Sequence, residues 1–152
     1  MKAWYQQYFL NFKRPSGTSR GGLTTKETWF LFVEEAGRTG VGECGLLRSL
    51  SMDDRPDYED QLKWVCENIA LGPELLWEKL EKFPSIQFGL EMAFQSLKAH
   101  QKFILFPSEF TEGRSTIPIN GLVWMGNKAF MKEQISEKIN SGFNCIKLKI
   151  GA

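Results

Sequence analysis

The sequence predicts an α+β protein, on three observations. Runs rich in aromatic and β-branched residues occupy residues 2–44, and helical periodicities follow over residues 57–97. After a stretch containing Pro107 and Gly113, a strand, a helix and a second strand succeed one another over residues 117–150. Segregated runs of strands and helices mark the α+β class, whereas a strand–helix–strand unit requires parallel pairing. The chain therefore divides into residues 1–102, a linker at 103–116, and a βαβ unit at 117–152.

Each element has a local cause. Residues 2–12 read as a strand, with Trp4, Tyr8, Leu10 and Phe12 on one face. Arg14 to Gly22 is a polar loop dense in Gly and Ser. Glu27–Glu35 is a second strand centred on Thr28–Val33, Ala36–Gly40 a tight turn, and Val41–Cys44 a short third strand. Strands joined by short turns favour a three-stranded antiparallel meander. Asp57 can cap a helix carrying Leu62, Val65, Cys66 and Ile69 at a 3.6-residue rhythm. Gly72-Pro73 ends it, and Pro73 suits the first turn of the next helix, Glu74–Phe83, with Leu76, Leu80 and Phe83 inward. Pro84-Ser85 opens a third helix striped by Ile86, Leu90, Ala93, Phe94 and Leu97. Beyond the linker, Ile117–Trp124 reads as a strand. Asn127 caps a helix over Lys128–Asn140 with Ala129, Met131, Ile135 and Ile139 at its apolar positions. Gly142 is a suitable residue just past that helix, and Asn144–Ile150 is the returning strand.

Composition excludes several functions. A net charge of +1 gives no electrostatic reason to expect nucleic acid or an anionic membrane as partner. The N-terminus has no apolar signal core, and no segment reaches the ~18 apolar residues of a membrane span. Cys44, Cys66 and Cys145 are odd in number and lack metal spacing, so they read as buried free thiols of a cytoplasmic protein. The acidic run Asp53, Asp54, Asp57, Glu59 and Asp60 lacks the glycine and spacing of a calcium loop, and a helix dipole explains it better. Glu43 reads as structural, accepting backbone hydrogen bonds in a Gly-rich turn. Glu91 either anchors the first part of the chain to the second or faces water. A lone His100 at a helix end carries no function.

The chemistry-bearing feature is Ile146-Lys147-Leu148-Lys149-Ile150. In a strand, alternation sets both lysines on one face and the apolar residues on the other. Neighbouring ammonium groups repel and burial penalises charge; both lower a lysine's pKa from about 10.4 toward the range of a general base. The structural alternative is two solvated lysines at an exposed strand end.

Three segments, in order along the chain, resemble the enolase superfamily: Gly40-Val41-Gly42-Glu43-Cys44, Ile86-Gln87-Phe88-Gly89-Leu90-Glu91-Met92-Ala93, and Gly142-Phe143-Asn144-Cys145-Ile146-Lys147-Leu148-Lys149-Ile150-Gly151. They are similar to the capping-sheet turn, the helix before the barrel, and the second barrel strand with its Lys-x-Lys. The loop Pro15 to Thr24 and the segment Ile119–Trp124 are similar to those of the o-succinylbenzoate synthase family. The resemblance implies an enolase-type N-terminal capping domain followed by the first strands of a (β/α)-barrel. A closed barrel takes ~250 residues, so a truncated barrel is expected, inactive by itself, with exposed strands that invite self-association.

The implied reaction is a lyase step, proton abstraction next to a carboxylate. It would dehydrate a succinyl-hydroxycyclohexadiene carboxylate in menaquinone biosynthesis. By position in the motif Lys149 would be the base and would assist hydroxyl departure, and Lys147 would lower its pKa and help bind the carboxylate. Ser16, Thr18, Ser19, Arg20 and Gly21 would meet the small-molecule substrate; the alternative for them is an ordinary hairpin connection. Magnesium is the implied cofactor, with its Asp, Glu and Asp ligands and the second catalytic lysine expected beyond residue 152 and no metal ligand within it. A racemase, epimerase or cycloisomerase on the same frame and a non-catalytic binding domain are the rival readings.

Overall fold

Two glycines set the spacing of the first layer pair. A computed structural model of the chain describes residues 1–18 and 21–149. Strands β1 (Lys2–Thr18), β2 (Gly21–Glu35) and β3 (Arg38–Cys44) form an antiparallel sheet in the order β1-β2-β3. Helices α1 (Tyr58–Glu67), α2 (Gly72–Lys79) and α3 (Pro84–Lys98) follow, with a 3-10 turn at Ile69–Leu71. A Cβ at Gly40 or Gly42 of β3 would overlap the α3 backbone at Ala93 or Gly89. Only glycine permits an approach that close, and it lets β3 lie directly against α3.

Alternation on β2 explains the core. Trp29, Leu31 and Val33 point toward the helices and are buried with Leu62, Leu76, Leu90 and Ala93, among others. Phe30 and Phe32 take the opposite face. There Trp4 stacks on Phe32 at 5.2 Å between ring centroids and Tyr8 meets Phe30 at 6.2 Å. Trp4 is 42% and Tyr8 50% exposed, so the predicted aromatic face of β1 is the sheet's outer face.

The β2–β3 hairpin is a two-residue turn with Glu35 paired to Arg38. Ala36 and Gly37 both have positive φ, 50° and 76°, as a type I′ turn demands. Residues 14–18 and 21–22 are strand, not the polar loop that composition suggests, and Ser19 and Arg20 lie outside the described residues. β1 runs through Thr18 and β2 starts at Gly21, so strand geometry extends nearly to the tip. Pairing of successive strands overrides the turn propensity of Ser and Gly here.

Several predicted polar roles change hands. Asp57 stands at the N-cap of α1 but makes no side-chain cap; its carboxylate takes two bonds of 2.9 Å from Arg55. Asp53, buried, instead accepts the Ser85 N–H at 2.8 Å and serves the N-terminus of α3. Glu43 accepts from side chains, not backbone: Lys26 at 2.9 Å and Thr28 at 2.7 Å. The Lys26 bond first, then that of Thr28, holds its carboxyl below the usual range. Glu91 and His100 are exposed. Of the three thiols only Cys44 is buried; Cys66 is half-buried and Cys145 exposed. α2 ends at Lys79, although Leu80 and Phe83 beyond it are buried as expected.

The chain separates into two compact units: residues 1–16 with 22–106, and residues 17–21 with 107–152. In the second, β4 (Gly121–Val123) and β5 (Ile146–Leu148) pair in parallel across α4 (Lys128–Asn140). β4 is much shorter than the predicted Ile117–Trp124. Pro118 has no N–H to give a ladder, and residues 111–120 are all exposed. β5 spans Ile146–Leu148 only, and Ile150 lies outside the described residues.

The ends of α4 are as the sequence predicts. Asn127 Oδ1 accepts the Phe130 N–H at 3.0 Å. At the other end Gly142, φ 84°, donates to Ile139 O and Phe143 donates to Lys138 O, the bond pair of a Schellman motif. Its predicted apolar face is only partly inward: Met131 and Ile135 are half-buried, Ala129 and Ile139 are exposed, the latter at 58%, and no α4 residue is fully buried.

Candidate active site

Lys149 stands one residue past β5, and its N–H continues the ladder by bonding Val123 O at 2.9 Å. Its ammonium is held by two groups from separate stretches of the second unit. Nζ donates to the Gly17 carbonyl at 2.6 Å and lies 4.2 Å from the centroid of the Trp124 ring. The carbonyl supplies an acceptor and the ring face supplies the negative lobe of its quadrupole. Lys149 is half-buried in this setting, whereas Lys147, paired in register with Leu122, is exposed. The two lysines therefore differ in surroundings although they are two residues apart.

The predicted substrate residues fall as follows. Ser16 is half-buried near the end of β1, and Gly21 opens β2 with φ 125°, a conformation that favours glycine. Ser19 and Arg20 lie outside the described residues, as does the side chain of Thr18. The residue that meets Lys149 is Gly17, through its carbonyl, and the sequence reading did not single it out.

Trp124 and Gln134 were also missed. Gln134 Oε1 accepts the Trp124 N–H at 3.0 Å, and its Nε2 donates to the Trp124 carbonyl at 3.1 Å. The available signal was a large aromatic residue, Trp124, at the end of a strand, followed by an amide, Gln134, on the next helix. Composition alone gives that no special weight.

A magnesium ion needs several oxygen donors, usually carboxylates, around it. Among the described residues no group of three or more His, Cys, Asp or Glu could hold a metal ion. The described residues do not fit a metal site. Among the described residues no helix is long and apolar enough to cross a membrane.

With this geometry in view the comparisons decide the fold family. No family model matches the sequence. The MenC crystal structure from Desulfotalea psychrophila LSv54 superposes with a TM-score of 0.79 at 30% identity, covering 99% of this chain and 49% of that one. The fold is that of the enolase superfamily, a capping domain followed by the start of a barrel. The o-succinylbenzoate synthase of Desulfotalea psychrophila is 37% identical over 183 aligned positions, covering all of this chain and 50% of the relative. The o-succinylbenzoate synthase from Thermosynechococcus elongatus BP-1, whose structure holds Mg in the active site, has a TM-score of 0.70 at 19% identity and shares the fold. It covers 100% of this chain and 43% of that one. The chain is thus o-succinylbenzoate synthase-like throughout and spans about half the length of that relative.

Proposed function

We propose that this chain forms the capping domain and first barrel strands of a lyase that dehydrates a succinyl-hydroxycyclohexadiene carboxylate in menaquinone biosynthesis. The observation that carries the reading is the o-succinylbenzoate synthase similarity across the entire chain, joined to a lysine held at the end of the second strand of a parallel pair. Residues 1–102 form the cap, 103–116 the linker and 117–152 the barrel's beginning.

Lys149 is the general base. Its neutral amine takes the proton next to the carboxylate, and the C–H electron pair moves into an enolate. As the C–O bond breaks and the ring becomes aromatic, the Lys149 ammonium returns the proton to the departing hydroxyl, which leaves as water. Lys147 binds the substrate carboxylate. Ser16, Thr18, Ser19, Arg20 and Gly21 bind the anionic substrate. Were magnesium bound, as in the Thermosynechococcus structure, it would supply stabilisation of negative charge, with ligands expected from polypeptide other than residues 1–152. The chain works in the cytoplasm, and its partly exposed α4 face supports self-association when no further barrel elements are present.

The test is a chimera. Residues 1–152 are joined to the remaining half of the Desulfotalea synthase and assayed for dehydration, beside the 152-residue chain alone. The chimera is expected to turn over and the short chain not to. Lys149→Ala in the chimera is expected to lose at least the ~10²–10⁴-fold typical of a general base. A chimera that keeps full activity with alanine at 149, or one that racemises substrates without dehydrating any, overturns the reading.

A further inference from the structure

We infer that Trp124 is a positioning residue for Lys149, and that Gln134 fixes Trp124 in turn. This deepens the reading of Lys149 as the reacting amine, but the arrangement itself stands on geometry within the second unit.

A lysine ammonium rides on a four-carbon stem with many rotamers. At a strand end it has no reason to occupy one place unless something holds it. Two contacts do so, from directions that the amine satisfies together: the Gly17 carbonyl at 2.6 Å and the Trp124 ring face at 4.2 Å. The carbonyl belongs to the β1–β2 hairpin tip and the indole to the segment just after β4, so removing either leaves the other unable to fix the amine alone.

The indole is 38% exposed, and packing alone does not explain how such a ring keeps its place. Gln134 supplies the explanation. Its side-chain amide bonds both the N–H and the C=O of Trp124, as the backbone of another strand would. These two bonds hold the Trp124 backbone, and with it the Cα–Cβ bond from which the indole projects. Gln134 is itself placed by α4, whose start is fixed by the Asn127 cap. The result is a relay of positions, Asn127 to Gln134 to Trp124 to Lys149, in which only the last member touches the reacting atoms. The competing view is that Trp124 merely shields surface, in which case Lys149 would not depend on it.

The test uses the 152-residue chain, with lysine side chains labelled for NMR and amines acylated at fixed pH and quantified by mass spectrometry. In the unsubstituted chain the Lys149 Hε protons should be displaced upfield by the indole ring current, and Lys149 should acylate more slowly than Lys147. Trp124→Leu should abolish the displacement and raise Lys149 acylation about two- to five-fold, the factor equivalent to ~0.5–1 kcal/mol of cation–π attraction, with Lys147 unchanged. Trp124→Phe, which keeps a ring face, should restore part of both signals. Gln134→Leu should shift both in the direction of Trp124→Leu without touching Lys149 directly.

Exchange protection of the Lys149 N–H, which bonds Val123 O, reports whether the unit stays folded. Where Trp124→Leu loses it, the comparison rests on Trp124→Phe and Gln134→Leu. Absence of the ring-current displacement in the unsubstituted chain overturns the proposal, as does equal change at Lys147 and Lys149 in the variants. A Gln134→Leu chain identical to the parent removes Gln134 from it. No turnover is read, so failure of the lyase assay and failure of this arrangement are separate results.

Discussion

Gly42 of β3 and Gly89 of α3 meet so closely that neither has room for a side chain. A Cβ on Gly42 would overlap the Gly89 carbonyl, and a Cβ on Gly89 would overlap the Cys44 sulfur. At Gly42 the clash is with backbone, so no rotamer change can relieve it. Gly42→Ala is expected to destabilise the first unit by about 2–3 kcal/mol, at the upper end of overpacking costs. Gly22→Ala is the control, since an added methyl there meets nothing within 4 Å. Thermal unfolding of both variants checks this, and equal midpoints would refute it.

Acid should weaken the unit through Glu27. Its carboxylate takes two bonds from Arg48, at 2.6 and 2.8 Å, and one from Trp29 Nε1 at 2.8 Å. The Arg48 bonds are the main reason its pKa lies below 4.5, against the opposing effect of partial burial. A carboxyl whose folded pKa is depressed adds stability above its unfolded pKa, and that stability is lost as pH falls through the folded value. The loss should therefore begin below about 4.5. Arg48 is 43% exposed, so solvent screening limits the contribution to about 1 kcal/mol. Glu27→Gln should lower stability at pH 7 and flatten the pH dependence below 4.5, as read by urea unfolding across pH.

The cysteines should react in a fixed order. Cys145 is exposed and should be alkylated first. Cys66 is half-buried, and burial pushes its thiol up to about 11, so it should follow slowly. Cys44 is buried and desolvation drives its thiol far above the ordinary range. Because the thiolate is the nucleophile, Cys44 should react only after unfolding. Timed alkylation with mass spectrometry reads the order, and early modification of Cys44 would contradict the placement of β3.

Much of this architecture was legible because it is specified locally. The Asn127 cap, the Gly142 stop and the helix between them are fixed by short-range bonds, and the structure has them where the sequence predicts. The strands and helices of the first unit follow from alternation and from the spacing of Leu62, Leu76 and Leu90. What was not legible depended on neighbours distant in sequence. Residues 14–18 and 21–22 are strand because β1 and β2 support each other, and Asp57 turns to Arg55 while Asp53 reaches α3. The seat of Lys149 is likewise made by Gly17, more than a hundred residues earlier in the chain. A backbone carbonyl has no sequence signature, so no motif could have named it.

α4 is bonded at both ends and tied at mid-length through Gln134 to Trp124, and none of its side chains is fully buried. A short helix without a fully buried side chain has a small opening free energy. A protease should therefore find Lys132 and Lys138 before any lysine of α1–α3, and the earliest cut in a digest would mark the seam where this protein comes apart first.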